Sequence, residues 1–131
     1  MKPELEARSS DDPAGSDRYV FGVDEEQFHL LRRALITYLG AEPAPAARAL
    51  VLGPGRAGLE AALQVERDYA DVVPGPLPLA FEEVRGLYAM LLTVATFWPQ
   101  SEEDFVKRVG HFRETVRQLA GLLVGALREA R

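Results

Sequence analysis

The chain contains no cysteine, so disulfide bonds, thiolate metal sites and a cysteine nucleophile are all excluded. Serine is scarce, and the four present are Ser9, Ser10, Ser16 and Ser101. None of them lies in the Gly-x-Ser-x-Gly pattern of a serine hydrolase. Clustered acidic residues such as Glu82 and Glu83 fall at predicted first turns of helices, where the helix dipole accounts for them. We therefore expect a protein that is not an enzyme.

Long apolar runs are also missing. The longest uncharged, mainly apolar stretch covers residues 87–98, whereas a membrane-spanning helix needs about 20 residues. The N-terminus is polar and acidic and lacks the apolar segment of a secretory signal. These features predict a cytoplasmic protein with no membrane partner.

Basic residues are fewer than acidic residues: the chain has 15 Lys and Arg and 20 Asp and Glu, which gives a net charge of −5. Residues 1–17 contribute −3 of this, which leaves −2 for the rest of the chain. A nearly neutral domain binds phosphate poorly, because affinity for nucleic acid rests mainly on neutralising phosphates. We expect no nucleic-acid partner. Lys2 and Lys107 are the only lysines, and this preference for arginine indicates a GC-rich bacterial genome.

Composition divides the chain into two parts. Residues 1–17 are rich in Ser, Asp, Pro and Gly and lack apolar periodicity, which predicts a disordered acidic tail. Residues 18–131 carry most of the hydrophobic residues and are predicted to form a single helical domain. Within it, residues 18–23 alternate weakly and form either a short strand or an extended arm.

Helical patterns dominate the second part. Asp24 and Gln27 have the spacing of a capping box, and Gly40 is a natural stop for the first helix. Residues 46–52 fit a helix or a buried strand, with the alanines favouring a helix, and residues 58–71 and 79–98 are predicted helices. The sequence thus predicts an all-α fold, a small bundle of about four helices, with a short strand or extended arm near its N-terminus.

The last 30 residues are predicted to form one long amphipathic helix that begins after Ser101. Its apolar positions alternate in steps of four and three: Phe105, Val109, Phe112, Val116, Leu119, Leu123, Ala126 and Ala130. Leu122 and Val124 lie off this seam. Gly121 and Gly125 each lower helix stability by about 1 kcal/mol relative to alanine. This cost suggests that the two glycines are there to let another backbone approach the helix closely.

The seam fits packing against the chain's own helices, and its extra apolar positions also suggest contact with a second subunit. The candidate interface residues are Leu119, Gly121, Leu122, Leu123, Val124 and Gly125. The leading hypothesis is therefore a non-catalytic interaction or regulatory protein. It would be a homodimer through this helix or through the N-terminal arm, or would bind another protein.

A glycine-rich segment resembles a dinucleotide-binding loop only in its spacing. Gly53, Gly55 and Gly58 match G-x-G-x-x-G, and Asp71 lies about where a ribose-binding acid would fall. The segment before Asp71 is predicted to be helical, so no second strand would deliver that acid. The glycines are therefore interpreted as a chain turn, and Arg56 at the head of a helix is a candidate anion site.

Small-molecule binding is the alternative function. It would use an apolar pocket near Trp98 in a helical bundle, with an arginine as anion handle, and the candidate residues are Arg56, Tyr88, Met90, Phe97, Trp98 and Arg113. His29 and His111 each have a glutamate three or four residues away. Because a transition-metal site usually has three or four ligands, we predict no metal and no cofactor.

Overall fold

The computed structural model describes residues 1–10, 17–97 and 101–130. The strands are β1 (Glu6–Ser10), β2 (Arg18–Gly22) and β3 (Leu77–Ala80). The helices are α1 (Glu25–Ala41), α2 (Pro45–Leu52), α3 (Arg56–Ala62), α4 (Phe81–Phe97), α5 (Glu102–Val109) and α6 (Arg113–Glu129). Among the described residues, no helix combines the length and the apolar character needed to cross a membrane.

The all-α prediction is wrong, because the strands form an antiparallel sheet in the order β1-β2-β3 and make the fold α+β. In its register Phe21 lies opposite Ala7 on one side and Leu77 on the other. Residues 18–23, predicted as a short strand or an extended arm, contain the middle strand β2, which pairs with strands of the same chain on both sides. β1 falls inside the predicted disordered tail, so that prediction is corrected for residues 6–10. Residues 11–16 lie outside the described part.

Helix α4 lies at the centre of the molecule. It packs against α1, α2, α3 and α6, while α6 also packs against β1. Met90 and Leu91 of α4 are buried, as are Phe28 and Leu31 of α1. Phe21 brings the sheet into the same core. A helix that is apolar on most sides must be surrounded in this way.

Several predicted boundaries need correction. α2 confirms the helical interpretation of residues 46–52. The helix predicted over 58–71 ends at Ala62, and Gln64 then adopts a positive φ of 56°. The helix predicted from residue 79 begins at Phe81, because Leu77–Ala80 pairs with β2. Pro78 is tolerated there because β3 is an edge strand.

The capping box at the start of α1 is confirmed and also holds the N-terminal arm. The Gln27 backbone N–H donates to Asp24 Oδ1 over 2.7 Å, and Asp24 N–H donates to Gln27 Oε1 over 2.8 Å. Gln27 Nε2 donates to the carbonyls of Lys2 and Glu4. Burial opposes ionisation of Asp24, but the N–H donors of Gln27 and Lys2 with the nearby positive charges outweigh it and lower its pKa.

The single long C-terminal helix is a wrong prediction. Gly110 ends α5 in the left-handed conformation with φ 89°, and α6 begins at Arg113. The Arg33 guanidinium donates to the carbonyls of Lys107 and Arg108 in the last turn of α5. The seam itself is buried at Phe105, Val109, Val116, Leu119, Leu123 and Ala126. Phe112, at the break, is 62% exposed.

The glycine-rich segment is a packing feature. A Cβ on Gly55 would lie 2.7 Å from the backbone nitrogen of Glu83, and one on Gly58 would meet the Glu83 side chain. Gly53 has a φ of 66° that side chains rarely adopt. The run before these glycines is the helix α2 rather than a strand. The glycines therefore let this turn lie against the start of α4, in agreement with the interpretation as a chain turn.

Candidate functional site

The outward side of α6 is the part of the predicted interface that stays at the surface. Leu119 and Leu123 are buried in the chain's own core, so they are not available to a second molecule. Gly121 is exposed, and Leu122, Val124 and Gly125 are half-buried. These four residues, together with the exposed Gln118, are called the α6 face below.

The two glycines of the α6 face, Gly121 and Gly125, are not needed to avoid a clash with the described residues. A Cβ built on Gly121 or on Gly125 meets nothing within 4 Å among the described residues. Glycine in the middle of a helix is less stable than alanine by about 1 kcal/mol. Packing within the chain does not offset that cost at either position, in contrast to the tightly packed Gly55.

A groove runs beside the α6 face. It has a volume of about 500 Å³ and lies between the N-terminal residues Met1, Lys2 and Pro3 and the α6 residues from Thr115 to Leu122. Gln27 contributes to its wall. The arm that Gln27 holds therefore borders the α6 face, and the two form one surface.

Strand β1 lies at the edge of the sheet. It pairs with β2 on one side, and no other strand of the described residues pairs with its second side. Glu6 and Arg8 are exposed and share one face of the sheet, whereas Ala7 between them is half-buried against the core. An edge strand presents backbone groups that a further strand can pair with.

The two arginines predicted as anion handles, Arg56 and Arg113, do not lie together. Arg56 lies beside the start of α4 and pairs with Glu60 over 3.2 Å. Arg113 opens α6, pairs with Glu102 over 3.0 Å and lies 4.7 Å above the Phe105 ring. The first turns of α6 border the other end of α4, because Arg117 donates to the Ala95 carbonyl. Arg56 and Arg113, the two proposed anion handles, therefore lie near opposite ends of α4.

The structure describes the side chains of two of the remaining ligand candidates, Met90 and Tyr88. Met90 is fully buried in the core. Tyr88 is 37% exposed and lines a shallow cleft with residues of α2. The Phe97 side chain and all of Trp98 lie outside the described part of the structure. Binding of a small molecule in a pocket near Trp98 therefore stays a prediction.

The fold brings together two histidines that lie far apart in the sequence. His29 and His111 line one cleft of about 630 Å³ between α1 and the α5–α6 connection. The His29 ring lies 5.0 Å from the Tyr69 ring, and its Nε2 lies 4.0 Å from Glu25. Among the described residues, no three His, Asp or Glu side chains are placed to hold one metal ion. No sequence signal links these histidines, which are 82 positions apart.

Comparisons with protein-family models, curated proteins and solved structures found no significant match to this chain. Function is therefore inferred from the α6 face and the β1 edge themselves.

Acidification is expected to destabilise the fold through His111. Burial holds the folded-state pKa of this imidazole below its ordinary value of 6.5; the Glu26 carboxylate opposes the shift and the Arg33 guanidinium adds to it. The unfolded chain therefore takes up the proton first, and the free energy of unfolding falls as pH drops below about 6.5. Above about pH 7.5 His111 no longer contributes to the pH dependence of the free energy of unfolding.

Denaturant unfolding at a series of pH values measures this effect. The His111→Gln variant is expected to lose stability less steeply than the unmodified chain between about pH 7.5 and pH 5. Identical pH dependence of the two proteins would contradict the prediction.

Proposed function

We propose that this chain is a non-catalytic interaction or regulatory protein of the cytoplasm that self-associates through the α6 face. The observation that supports this is the open space at Gly121 and Gly125. A second backbone that approaches the helix there would supply the packing that the chain itself does not. Half-buried Leu122 and Val124 flank the glycines and would be covered by the same contact.

The charges at the ends of α6 favour a second copy of this chain as the partner. Glu114 and Arg128 are exposed and lie seven residues before and after Gly121. In a two-fold antiparallel helix pair centred on Gly121, Glu114 faces Arg128 of the partner subunit, and the reverse pair forms by symmetry. Each pair lies about 10 Å from the crossing point, at a rise of about 1.5 Å per residue. The face is therefore self-complementary in charge as well as open at its centre.

Blocking the close approach tests the proposal. Gly121→Gln adds a long polar side chain where the isolated chain has free space, so its fold is expected to be as stable as before or slightly more stable. Sedimentation velocity from low to high micromolar concentration is expected to show a monomer–dimer equilibrium for the unmodified chain. The variant is expected to remain a monomer throughout.

Gly40→Gln is the matched control. Gly40 is also an exposed helical glycine with free space at its Cβ, but it lies in α1 and away from the α6 face. This variant is expected to dimerise like the unmodified chain. A monomeric unmodified chain at high micromolar concentration, or a Gly121→Gln variant that still dimerises, would disprove self-association through α6.

A further inference from the structure

The free edge of β1 offers a second contact on the same side of the molecule as α6. Four of its five residues are exposed, and the N-terminal end of the strand is held in place through the bonds of Gln27 to Lys2 and Glu4. α6 packs against β1 on the core face of the sheet. An edge strand that is ordered and uncovered is a template for pairing with another strand.

We propose that β1 pairs antiparallel with β1 of a second copy in a register centred on Ala7, which joins the two sheets into one. This inference rests on the proposed self-association and names the contact that accompanies the α6 face. A two-fold axis perpendicular to the sheet keeps both α6 helices on the same face of the joined sheet and makes them run antiparallel. Strand pairing and helix pairing are therefore compatible with one axis.

The register follows from the charges on β1. A two-fold axis places each residue opposite the one equally far from the central residue. With Ala7 at the centre, Glu6 lies opposite Arg8 of the partner subunit, and the same pair forms again by symmetry. With Arg8 at the centre, the two Arg8 side chains would lie opposite each other. Opposite charges across a strand pair are stabilising and like charges are destabilising, so the charges select Ala7.

Charge reversal tests the register. Glu6→Arg alone creates two Arg–Arg pairs across the interface, and Arg8→Glu alone creates two Glu–Glu pairs. Each single variant is expected to weaken the dimer by about ten-fold or more in Kd at low salt. The double variant E6R/R8E restores both opposite-charge pairs and is expected to dimerise like the unmodified chain. An equimolar mixture of the two single variants is expected to form a heterodimer, because the arginine introduced at position 6 of one chain then lies opposite the glutamate introduced at position 8 of the other.

Cysteine cross-linking gives an independent measurement, because the chain has no cysteine of its own. Residues directly opposite in an antiparallel pair have Cα atoms about 4.5–5.5 Å apart, within disulfide range. Ala7→Cys is therefore expected to form an intermolecular disulfide under oxidised glutathione. Ser9→Cys is the matched control: in this register the two Ser9 positions are offset by four residues, about 14 Å, and are expected not to cross-link.

The outcomes separate this inference from the proposed function. If Gly121→Gln abolishes the dimer while all Glu6 and Arg8 variants dimerise normally, strand pairing is wrong and the α6 contact stands. If Arg8→Cys cross-links and Ala7→Cys does not, the register is wrong. If the single charge variants weaken the dimer but neither their mixture nor E6R/R8E restores it, the pairing of Glu6 with Arg8 is wrong. Both side chains are exposed, so the Glu6 and Arg8 variants are expected to keep the fold of the unmodified chain. Circular dichroism checks this separately from dimerisation.

Discussion

Replacing Gly86 with alanine is expected to lower the free energy of unfolding by about 3 kcal/mol, the upper part of the range for overpacking. Gly86 lies in α4 where that helix passes the end of α2, and an added Cβ would lie 2.4 Å from the Leu52 carbonyl oxygen. The oxygen belongs to the backbone and the Cβ is fixed directly to the Cα, so neither can rotate away. The overlap is relieved only if α2 and α4 move apart, and this would expose part of the Leu52 side chain, which is otherwise buried.

Gly40→Ala is the control for the Gly86 prediction. It makes the same chemical change in a helix, but its Cβ meets nothing within 4 Å. It is expected to raise stability by up to about 0.5 kcal/mol, because Gly40 lies in the last turn of α1. Urea unfolding of both variants at low micromolar concentration measures the difference. Equal stabilities would mean that α2 and α4 do not approach as closely as described.

Replacing Gln27 with leucine is expected to lower the free energy of unfolding by about 2–3 kcal/mol. Leucine has a similar volume but loses the bonds from Gln27 Nε2 to the Lys2 and Glu4 carbonyls and the bond that Gln27 Oε1 accepts from Asp24. Each lost bond to a buried group costs about 1 kcal/mol or more. The total stays moderate because Lys2 and Glu4 lie at the surface, where water can reach their carbonyls.

Two measurements follow from the Gln27 variant. Urea unfolding gives the loss of stability, with Thr96→Ala at an exposed position of α4 as the control expected to change it by less than about 0.5 kcal/mol. Hydrogen exchange gives the location: protection is expected to fall first in residues 2–10, since Gln27 ties that segment to α1. Unchanged protection there would mean that Gln27 does not anchor the arm leading to β1.

Local signals in the sequence were sufficient for the starts of α1 and α5. The spacing of Asp24 and Gln27 identified a capping box, and Ser101 caps α5 by accepting a bond from the Asp104 N–H over 3.2 Å. A cap is made by residues three apart, so its chemistry is present in the sequence itself. The apolar seam from Phe105 onward likewise predicted the burial of six of its eight positions, whereas Phe112 is exposed.

The break between α5 and α6 depends on information outside that pattern. The step of three or four continues through Phe112, but the chain turns at Gly110, and Arg33 of α1 binds the free carbonyls of Lys107 and Arg108. A glycine alone permits either a helix or a stop. The end of α5 is stabilised by Arg33, which lies 74 or more positions away in the sequence. A pattern of neighbouring residues contains no information about such a contact.

The sheet was missed for a related reason. β1 is polar and short, and its stability comes from pairing with β2 and packing against α6 rather than from its own residues. β3 contains Pro78, which argues against a central strand but not against an edge. Only the assembled sheet shows that β2 is the middle strand and that β1 has a free edge.

By itself, the sequence determined the lack of thiol chemistry, the helix caps and the apolar side of the last helix, because composition and short-range periodicity fix these. The tertiary structure decided which glycines are packed and which are open, since Gly55 and Gly121 look alike until their neighbours are known. It also brought His29 and His111 into one cleft and placed the free edge of β1 beside α6. Those features depend on contacts between distant residues, and such contacts exist only once the chain has folded.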